Sequence, residues 1–207
     1  MELQYYGANC VRLSTKKASL VIDDNLEQLR LKKTTKPLDI SLRSSSKIPE
    51  LESRFSAELP GEYEISEIVI EAIAARAFDD EESQRSAVIF KVLADDIKTL
   101  FVGNIHPSLN DEQVEAIGLV DIMFIPVGGN GSTMEPEDAL KLVKKIEPKV
   151  IIPTHYSESG VTYETAQKSL QEVIKVLSME PQEEIAKYKP KTSDFSDIPK
   201  LVVLSRA

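Results

Sequence analysis

The sequence predicts an α/β fold built around a mixed sheet, because strand patterns fill its first half and alternate with helix patterns in its second. The first half consists of short apolar runs separated by polar or Gly-containing residues. In the second half, such runs alternate with segments whose apolar residues recur at three- and four-residue spacing. Strands that alternate with helices along the chain are typical of sheets that contain parallel strands.

The predicted strands are short and end at turn residues. They lie at residues 3–6, 10–13, 19–22, 38–42, 65–73, 87–93, 99–102 and 201–204. Two further apolar runs, within 121–129 and 149–156, are typical of buried parallel strands that end in functional loops. A hairpin is predicted at Asp95-Asp96, and a turn at Pro60-Gly61. The charged segment 26–36 is ambiguous, with a short helix around Leu26 and Leu29 as one interpretation.

Three helices are predicted in the second half. Asn110, followed three residues later by Gln113, is typical of a capped helix start, and Gly118 ends that helix. A second helix follows Thr133, with an acidic first turn over 135–138. A third is predicted to start at Thr162, and its apolar face carries Ala166, Leu170, Val173, Ile174 and Leu177.

Composition narrows the classes of function. The 207 residues suffice for one domain with a substantial core, and the net charge of −9 argues against nucleic-acid and anionic-membrane surfaces. The single cysteine, Cys10, excludes an intrachain disulfide, and its apolar neighbours indicate a buried hydrophobe rather than a nucleophile. No secretory signal or long apolar stretch is present, so we predict a cytoplasmic protein.

Several phrases in order along the chain resemble the compact metallo-β-lactamase-fold hydrolases related to ascorbate-6-phosphate lactonases. The phrases are Tyr6-Gly7-Ala8-Asn9-Cys10, Val21-Ile22-Asp23, Pro60-Gly61-Glu62-Tyr63-Glu64-Ile65, Val102-Gly103-Asn104, Ile125-Pro126-Val127-Gly128-Gly129 and Pro153-Thr154-His155-Tyr156. The resemblance implies one metallo-β-lactamase-like domain over residues 1–207. It also implies a four-layer αβ/βα sandwich, with two mixed β-sheets face to face and helices outside.

The resemblance further implies where metal ligands would lie. Active members hold one or two metal ions, which make hydroxide available for hydrolysis. The family's His-x-His-x-Asp-His motif follows a strand, and the matching strand at 39–42 puts four residues at those ligand positions: Ser45, Lys47, Pro49 and Glu50. Phe78 or Arg76 occupies the next ligand position, Asn104 stands where a bridging Asp belongs, and His155 alone matches a family ligand.

These replacements lead to a hypothesis of lost catalysis. Protonated Lys offers no lone pair, a Pro side chain coordinates nothing, and the chain has only two histidines. We therefore expect no catalytic residue, no bound metal and no cofactor. The chain would be a degenerate member that acts as a binding or scaffold protein, with an unknown protein or a small molecule as its partner and homo-oligomers left open.

Two alternatives remain at this stage. The chain could be a metal-dependent hydrolase of a phosphodiester, lactone or thioester, with zinc or another divalent metal in a residual or intersubunit site. It could also be a subunit that stabilises an active relative. A makeshift centre of His106, His155 and Asp79 is a weaker form of the first alternative. The pairs Asp23-Asp24 and Asp79-Asp80 could supply oxygen ligands for magnesium or calcium, but acidic pairs at loop tips are usually solvated.

Two loops invite other interpretations. The triplet 44–46 could supply a serine nucleophile with Lys47 as its base, but no Gly-x-Ser-x-Gly turn is present, which favours a plain loop. The glycine-rich segment 128–131 lacks the ending of a phosphate-binding loop. We interpret it as a structural turn, with anion contact as the alternative.

Overall fold

A computed structural model of the chain describes residues 1–181 and 184–207. The first sheet has the strand order β1-β2-β3-β4-β5. Its strands are β1 (Glu2–Gly7), β2 (Cys10–Ser14), β3 (Ser19–Ile22), β4 (Ile40–Leu42) and β5 (Phe55–Ala57). β1, β2 and β3 pair antiparallel, whereas β3, β4 and β5 pair parallel. The sheet is therefore mixed.

The second sheet is longer and also mixed. Its strands are β6 (Gly61–Ile65), β7 (Ile68–Ala75), β8 (Ala87–Ala94), β9 (Ile97–Phe101), β10 (Ile122–Pro126), β11 (Val150–Thr154), β12 (Pro181–Ile185) and β13 (Lys200–Leu204). They lie in the order β12-β13-β11-β10-β9-β8-β7-β6. Strands β6 to β9 form an antiparallel meander, and the remaining pairs are parallel.

The two sheets pack face to face and enclose one of the two large buried clusters. Leu13 and Leu42 of the first sheet belong to the same buried cluster as Phe90 and Phe124 of the second. The rings of Phe101 and Phe124 stack with centroids 5.0 Å apart. The predicted sandwich of two mixed sheets is confirmed.

The helices cover the outer face of the second sheet. These helices are α1 (Asp111–Ile117), α2 (Pro136–Ile146) and α3 (Leu170–Leu177), and their buried residues share a cluster with the outer face of β9, β10 and β11. The first sheet is covered instead by a 3-10 helix, Leu26–Leu29, whose Leu26 packs on Cys10 and Val21. Within the described ranges, the outer layer on that side is therefore thin.

The predicted start of the third helix is wrong. α3 begins at Leu170, because Ser169 caps it: the Ser169 side chain accepts from the Glu172 amide, and the Glu172 side chain accepts from the Ser169 amide. Residues 162–168 run as irregular chain. In α1 the predicted Asn110–Gln113 capping box is present. Thr133 lies before α2 without capping it, since its Oγ1 accepts from Gly129 N at 2.9 Å.

Three short strands escaped the sequence analysis. β5, β6 and β12 are all edge strands, and the predicted strand at 65–73 is divided by a turn at 66–67 that joins β6 to β7. Edge strands are short and carry polar residues, so their apolar alternation is weak. Among the described residues, every helix falls short of the length and hydrophobicity that a membrane span requires.

Candidate functional site

A cavity of about 580 Å³ lies where loops that follow strands of both sheets converge. Segments after β1, β3, β4, β7, β9 and β11 contribute to its wall, together with residues of the loops at 131–132 and 163–165. These strands run in the same direction within their sheets, so their carboxyl ends meet at one end of the sandwich. That end is where α/β sheets commonly hold ligands.

Five of the predicted site residues line this cavity. They are Ser45, Lys47, Phe78, Asn104 and His155. Pro49 and Glu50 are not among the lining residues, and the exposed Glu50 carboxylate lies 4.0 Å from the Arg43 guanidinium. The interpretation of all seven as former metal-ligand positions stays a prediction.

Asn104 is held in a chain of hydrogen bonds. Thr154 Oγ1 donates to Asn9 Oδ1 at 2.9 Å, and Asn9 Nδ2 donates to Asn104 Oδ1 at 2.8 Å. In this order each amide oxygen accepts one hydrogen bond, Asn9 Oδ1 from Thr154 and Asn104 Oδ1 from Asn9. The Asn104 Nδ2 group therefore remains as a donor with no partner in the part of the chain that the structure describes.

The loop before Asn104 is constrained by close packing. Gly103 has a φ of +67°, and a Cβ on it would lie 2.8 Å from Ser44 Cβ. Ser44 itself is buried, and its amide and hydroxyl both donate to the Asp23 carboxylate, at 2.7 and 2.6 Å. Glycine is thus required for the loops after β4 and β9 to approach each other.

His155 is buried and its tautomer is set by Gln167. Gln167 Nε2 donates to Thr165 O at 2.6 Å, which leaves Gln167 Oε1 to face His155 Nδ1 at 3.3 Å. Nδ1 must then carry the proton, and Nε2 keeps a lone pair. Burial lowers the pKa of His155 to about 4, and the Gln167 hydrogen bond opposes that shift. The imidazole is therefore neutral near pH 7.

The environment of His155 also includes Tyr163. The two rings lie with centroids 4.8 Å apart at an angle of 40°. No sequence pattern indicates Tyr163 or Gln167 as site residues, because the apolar spacing predicts a helix over that segment. The capping box at Ser169 and Glu172 was the available signal that the helix begins later.

Three charged side chains in the cavity wall, Asp23, Lys47 and Asp79, are already bonded within the protein. Lys47 Nζ bonds the Asp79 carboxylate, which holds the pKa of that carboxyl below its ordinary value. Burial raises the pKa of Asp23 to about 6, and the two Ser44 hydrogen bonds oppose the rise. The predicted serine–lysine alternative is not supported by this geometry, since Ser44 donates to Asp23 and Lys47 bonds Asp79.

The other candidate groups point to structural roles. Asp24 Oδ2 accepts from the amides of Thr34 and Thr35, and Asp80 accepts from Ala77 and Ser86. His106 lies outside the cavity wall, so the geometry does not bring it together with His155 and Asp79.

Two backbone amides of the glycine-rich loop at 128–131 already donate to side chains within the protein. Gly129 N donates to Thr133 Oγ1, and Asn130 N donates to Glu135 Oε1 at 2.8 Å. These internal partners favour the structural interpretation of the loop over contact with an anion.

The donor set does not fit the one- or two-metal centre that the fold resemblance implies. Across residues 1–181 and 184–207, no three or more His, Cys, Asp or Glu side chains are placed to hold a metal ion. Along the cavity, an alcohol, an ammonium, a phenyl ring and an amide stand beside the imidazole of His155. Of these five groups only the imidazole is a good ligand for zinc, and of the carboxylates in the wall, Asp23 and Asp79 are bonded to Ser44 and Lys47.

The comparisons with known proteins define the class. Residues 2–155 match the family model described as a beta-lactamase superfamily domain, so the chain belongs to that superfamily. In fold it is similar to a crystal structure from Thermotoga maritima, described as a candidate Zn-dependent hydrolase of the metallo-beta-lactamase superfamily. The TM-score is 0.77 at 21% identity, with 99% of this chain and 98% of that chain covered.

Other relatives carry related names. A metallo hydrolase, Igni18, from Ignicoccus hospitalis has a TM-score of 0.61 at 16% identity, covering 92% of this chain and 99% of that one. A UPF0173 protein of Pyrococcus abyssi is 23% identical over 77% of this chain and 85% of its own length. A UPF0173 metal-dependent hydrolase of Pelotomaculum thermopropionicum is 44% identical, but over 22% of this chain and 20% of its own length.

Proposed function

We propose that this chain is a non-hydrolytic member of its superfamily, which binds a partner in the cavity without a metal centre. The observation that carries this proposal is the set of groups at the five cavity positions, of which only His155 has a side chain suited to zinc. The partner would be a small molecule, since the binding groups lie inside a cavity. A scaffold role towards another protein is a variant of the same proposal.

The electrostatics of the wall support this view. Lys47 puts a cation where two cations would have to bind, and a neutral Asn104 replaces the carboxylate that would offset their charge. The Asn9–Asn104 hydrogen bond gives that amide a partner within the protein. The cavity is thus suited to hydrogen bonding more than to binding a divalent cation.

Metal content provides the direct test. The purified protein is incubated with zinc, manganese and iron, passed through a desalting column and measured by elemental mass spectrometry. We expect far less than one metal per chain, with no difference between the wild type and His155→Ala. Stoichiometric metal that is lost in His155→Ala would overturn the proposal.

A metal-dependent hydrolase is the second candidate, because three of the four similar proteins named above are called hydrolases. Under this candidate, a second subunit would have to supply the missing ligands. Chromogenic phosphodiester, lactone and thioester substrates are then cleaved in the presence of added metal, and the metal co-elutes with an oligomer. We expect no turnover above buffer with any of these metals.

The proposal also covers the class of partner and the cellular location of the protein. The net charge of −9 supports a partner other than nucleic acid or an anionic membrane. We further propose a cytoplasmic location. A partner pull-down that recovers an active hydrolase of the same superfamily would favour the role of a stabilising subunit instead.

A further inference from the structure

The cavity offers no free cation to an anionic ligand. Among its described lining residues, Lys47 is the only Lys or Arg, and its ammonium is bonded to Asp79. Asp23 and Glu164 add negative charge to the wall. Phosphate recognition relies on Arg or Lys side chains or on clusters of free backbone N–H groups. In the adjacent 128–133 loop, the amides of Gly129 and Asn130 already have partners, Thr133 and Glu135.

The cavity does offer neutral hydrogen-bonding groups in fixed orientations. Asn104 Nδ2 is a donor, because its own Oδ1 is held by Asn9. His155 Nε2 is an acceptor, because Gln167 holds the proton on Nδ1. Asn25, Ser132 and Thr165 add further amide and hydroxyl groups to the wall. A ligand that matches this wall must both donate and accept hydrogen bonds at several points, and hydroxyl groups do both.

The cavity wall also contains two aromatic side chains. Phe78 and Tyr163 line the same cavity, and Phe78 is partly exposed. Aromatic faces together with a few placed polar groups are common in small-molecule sites. The apolar C–H faces of a sugar ring suit such aromatic surfaces, while its hydroxyl groups suit the amides and the imidazole. The cavity volume of about 580 Å³ lies in the ordinary range for small-molecule sites.

We propose that the cavity binds a neutral polyhydroxylated molecule of monosaccharide type, and that it discriminates against the phosphorylated form of the same molecule. The inference rests on the proposed non-hydrolytic function, because a metal in the cavity would attract phosphate instead. Asn104 is the residue that decides the specificity. Its amide donates where the carboxylate of an active relative would accept and carry charge.

The test uses the full chain and matched ligands. Aldohexoses and aldopentoses are screened by saturation-transfer NMR, each beside its terminal phosphate ester and, where it exists, its amino sugar. The best neutral ligand is then titrated by calorimetry. We expect binding of at least one neutral sugar, and binding at least about tenfold weaker for its phosphate ester, a difference of about 1.4 kcal/mol.

Asn104→Asp is the informative variant. It keeps an oxygen to accept from Asn9, so the local structure is retained, but it replaces the N–H donor with a negative charge. We expect the sugar affinity to fall at least about tenfold. Asn110→Asp is the matched control, since it makes the same chemical change at the exposed cap of α1, where Asp also caps well, and should leave the affinity unchanged.

Each outcome has a defined meaning. Equal or tighter binding of the phosphate ester or the amino sugar overturns the inference, as does an Asn104→Asp variant with unchanged affinity. The absence of binding by every sugar in the screen also overturns it, but leaves the non-hydrolytic proposal in place. Metal uptake that depends on His155 overturns both.

Discussion

At the scale of single residues, the cavity is decided by side chains that are tied to neighbours. Asn104 is held by Asn9, Lys47 by Asp79, and His155 by Gln167. Each partner comes from a different loop. A substitution at one of these three residues therefore also removes a contact that the partner's loop makes. Burial also changes the pKa values of two buried cavity residues: it raises the pKa of Asp23 and lowers the pKa of His155.

The first prediction concerns the pH dependence of stability. His155 has its pKa lowered to about 4, so its contribution to stability is full above its unfolded value of 6.5 and is lost as pH falls towards 4. Asp23 has its pKa raised from 3.8 to about 6, so its contribution is full below 3.8 and is lost as pH rises through 6. Each effect is on the order of 3 kcal/mol, and they oppose each other between pH 4 and 6.

Asp23→Asn should therefore expose the His155 effect. An Asn side chain can still accept from the Ser44 amide and tolerates the positive φ of this position, +48°. We expect the variant's free energy of unfolding to rise with pH between 4 and 6 more steeply than that of the wild type. Urea unfolding at several pH values measures this, and parallel profiles for the two proteins would contradict the assignment.

A second prediction at this scale concerns Gly103. Ala at this position would combine a positive φ with a Cβ 2.8 Å from Ser44 Cβ. We expect Gly103→Ala to lower the free energy of unfolding by about 2–4 kcal/mol. Gly131→Ala is the control, because its φ is +75° but nothing lies within 4 Å of the added Cβ. That variant should lose only about 1 kcal/mol, and equal losses would argue against close packing of the two loops.

At the scale of elements, the segment before α3 shows how a cap decides what a stretch of chain can do. The apolar spacing after Thr162 continues into the helix, but the capping box lies at Ser169 and Glu172. The residues before it are free to follow the cavity wall, and they bring Tyr163, Thr165 and Gln167 to the site. A helix from Thr162 would have carried these side chains away along its own axis.

Capping therefore predicts an asymmetry between two substitutions. Ser169→Ala removes the side chain that accepts from the Glu172 amide, and we expect a loss of about 1 kcal/mol in the free energy of unfolding. Thr162→Ala, at the exposed position where the helix was first predicted to start, should change it by less than about 0.5 kcal/mol. Denaturant unfolding of both variants measures the difference, and the reverse order would support the longer helix.

At the scale of the whole molecule, the site depends on loops from both sheets meeting at one end of the sandwich. Ser45 and Lys47 follow a strand of the first sheet, whereas Phe78, Asn104 and His155 follow strands of the second. The cluster enclosed between the sheets fixes their relative position, since it contains buried residues of both. The geometry of the cavity is thus a property of the core and not of any single loop.

This convergence predicts that a metal site can be rebuilt. The combined substitutions Ser45→His, Lys47→His, Phe78→His and Asn104→Asp place four more ligands around the cavity that His155 already lines. We expect this variant to take up zinc, detected by elemental analysis and by a rise in melting temperature on zinc addition. The same variant with His155→Ala should bind less. A folded variant without zinc uptake would contradict the assignment of these positions.

The sequence by itself determined the class and most of the frame. Apolar runs identified the central strands, capping residues identified α1, and the phrases around Gly103 and His155 indicated the superfamily. These elements are predictable because the preference of a segment for strand, helix or turn depends on residues only a few positions apart. The edge strands β5 and β12 and the start of α3 were not predictable in this way, since pairing partners and caps outweigh weak local patterns there.

Only the tertiary structure decided which candidate residues share a site. It placed Ser45, Lys47, Phe78, Asn104 and His155 on one cavity and left Pro49 and Glu50 outside its wall. It also added Tyr163 and Gln167, which no motif identified, and it paired Asn9 of the first quoted phrase with Asn104. The physical reason is that hydrogen-bond partners 12 to 145 residues apart in sequence meet only once the two sheets have packed together.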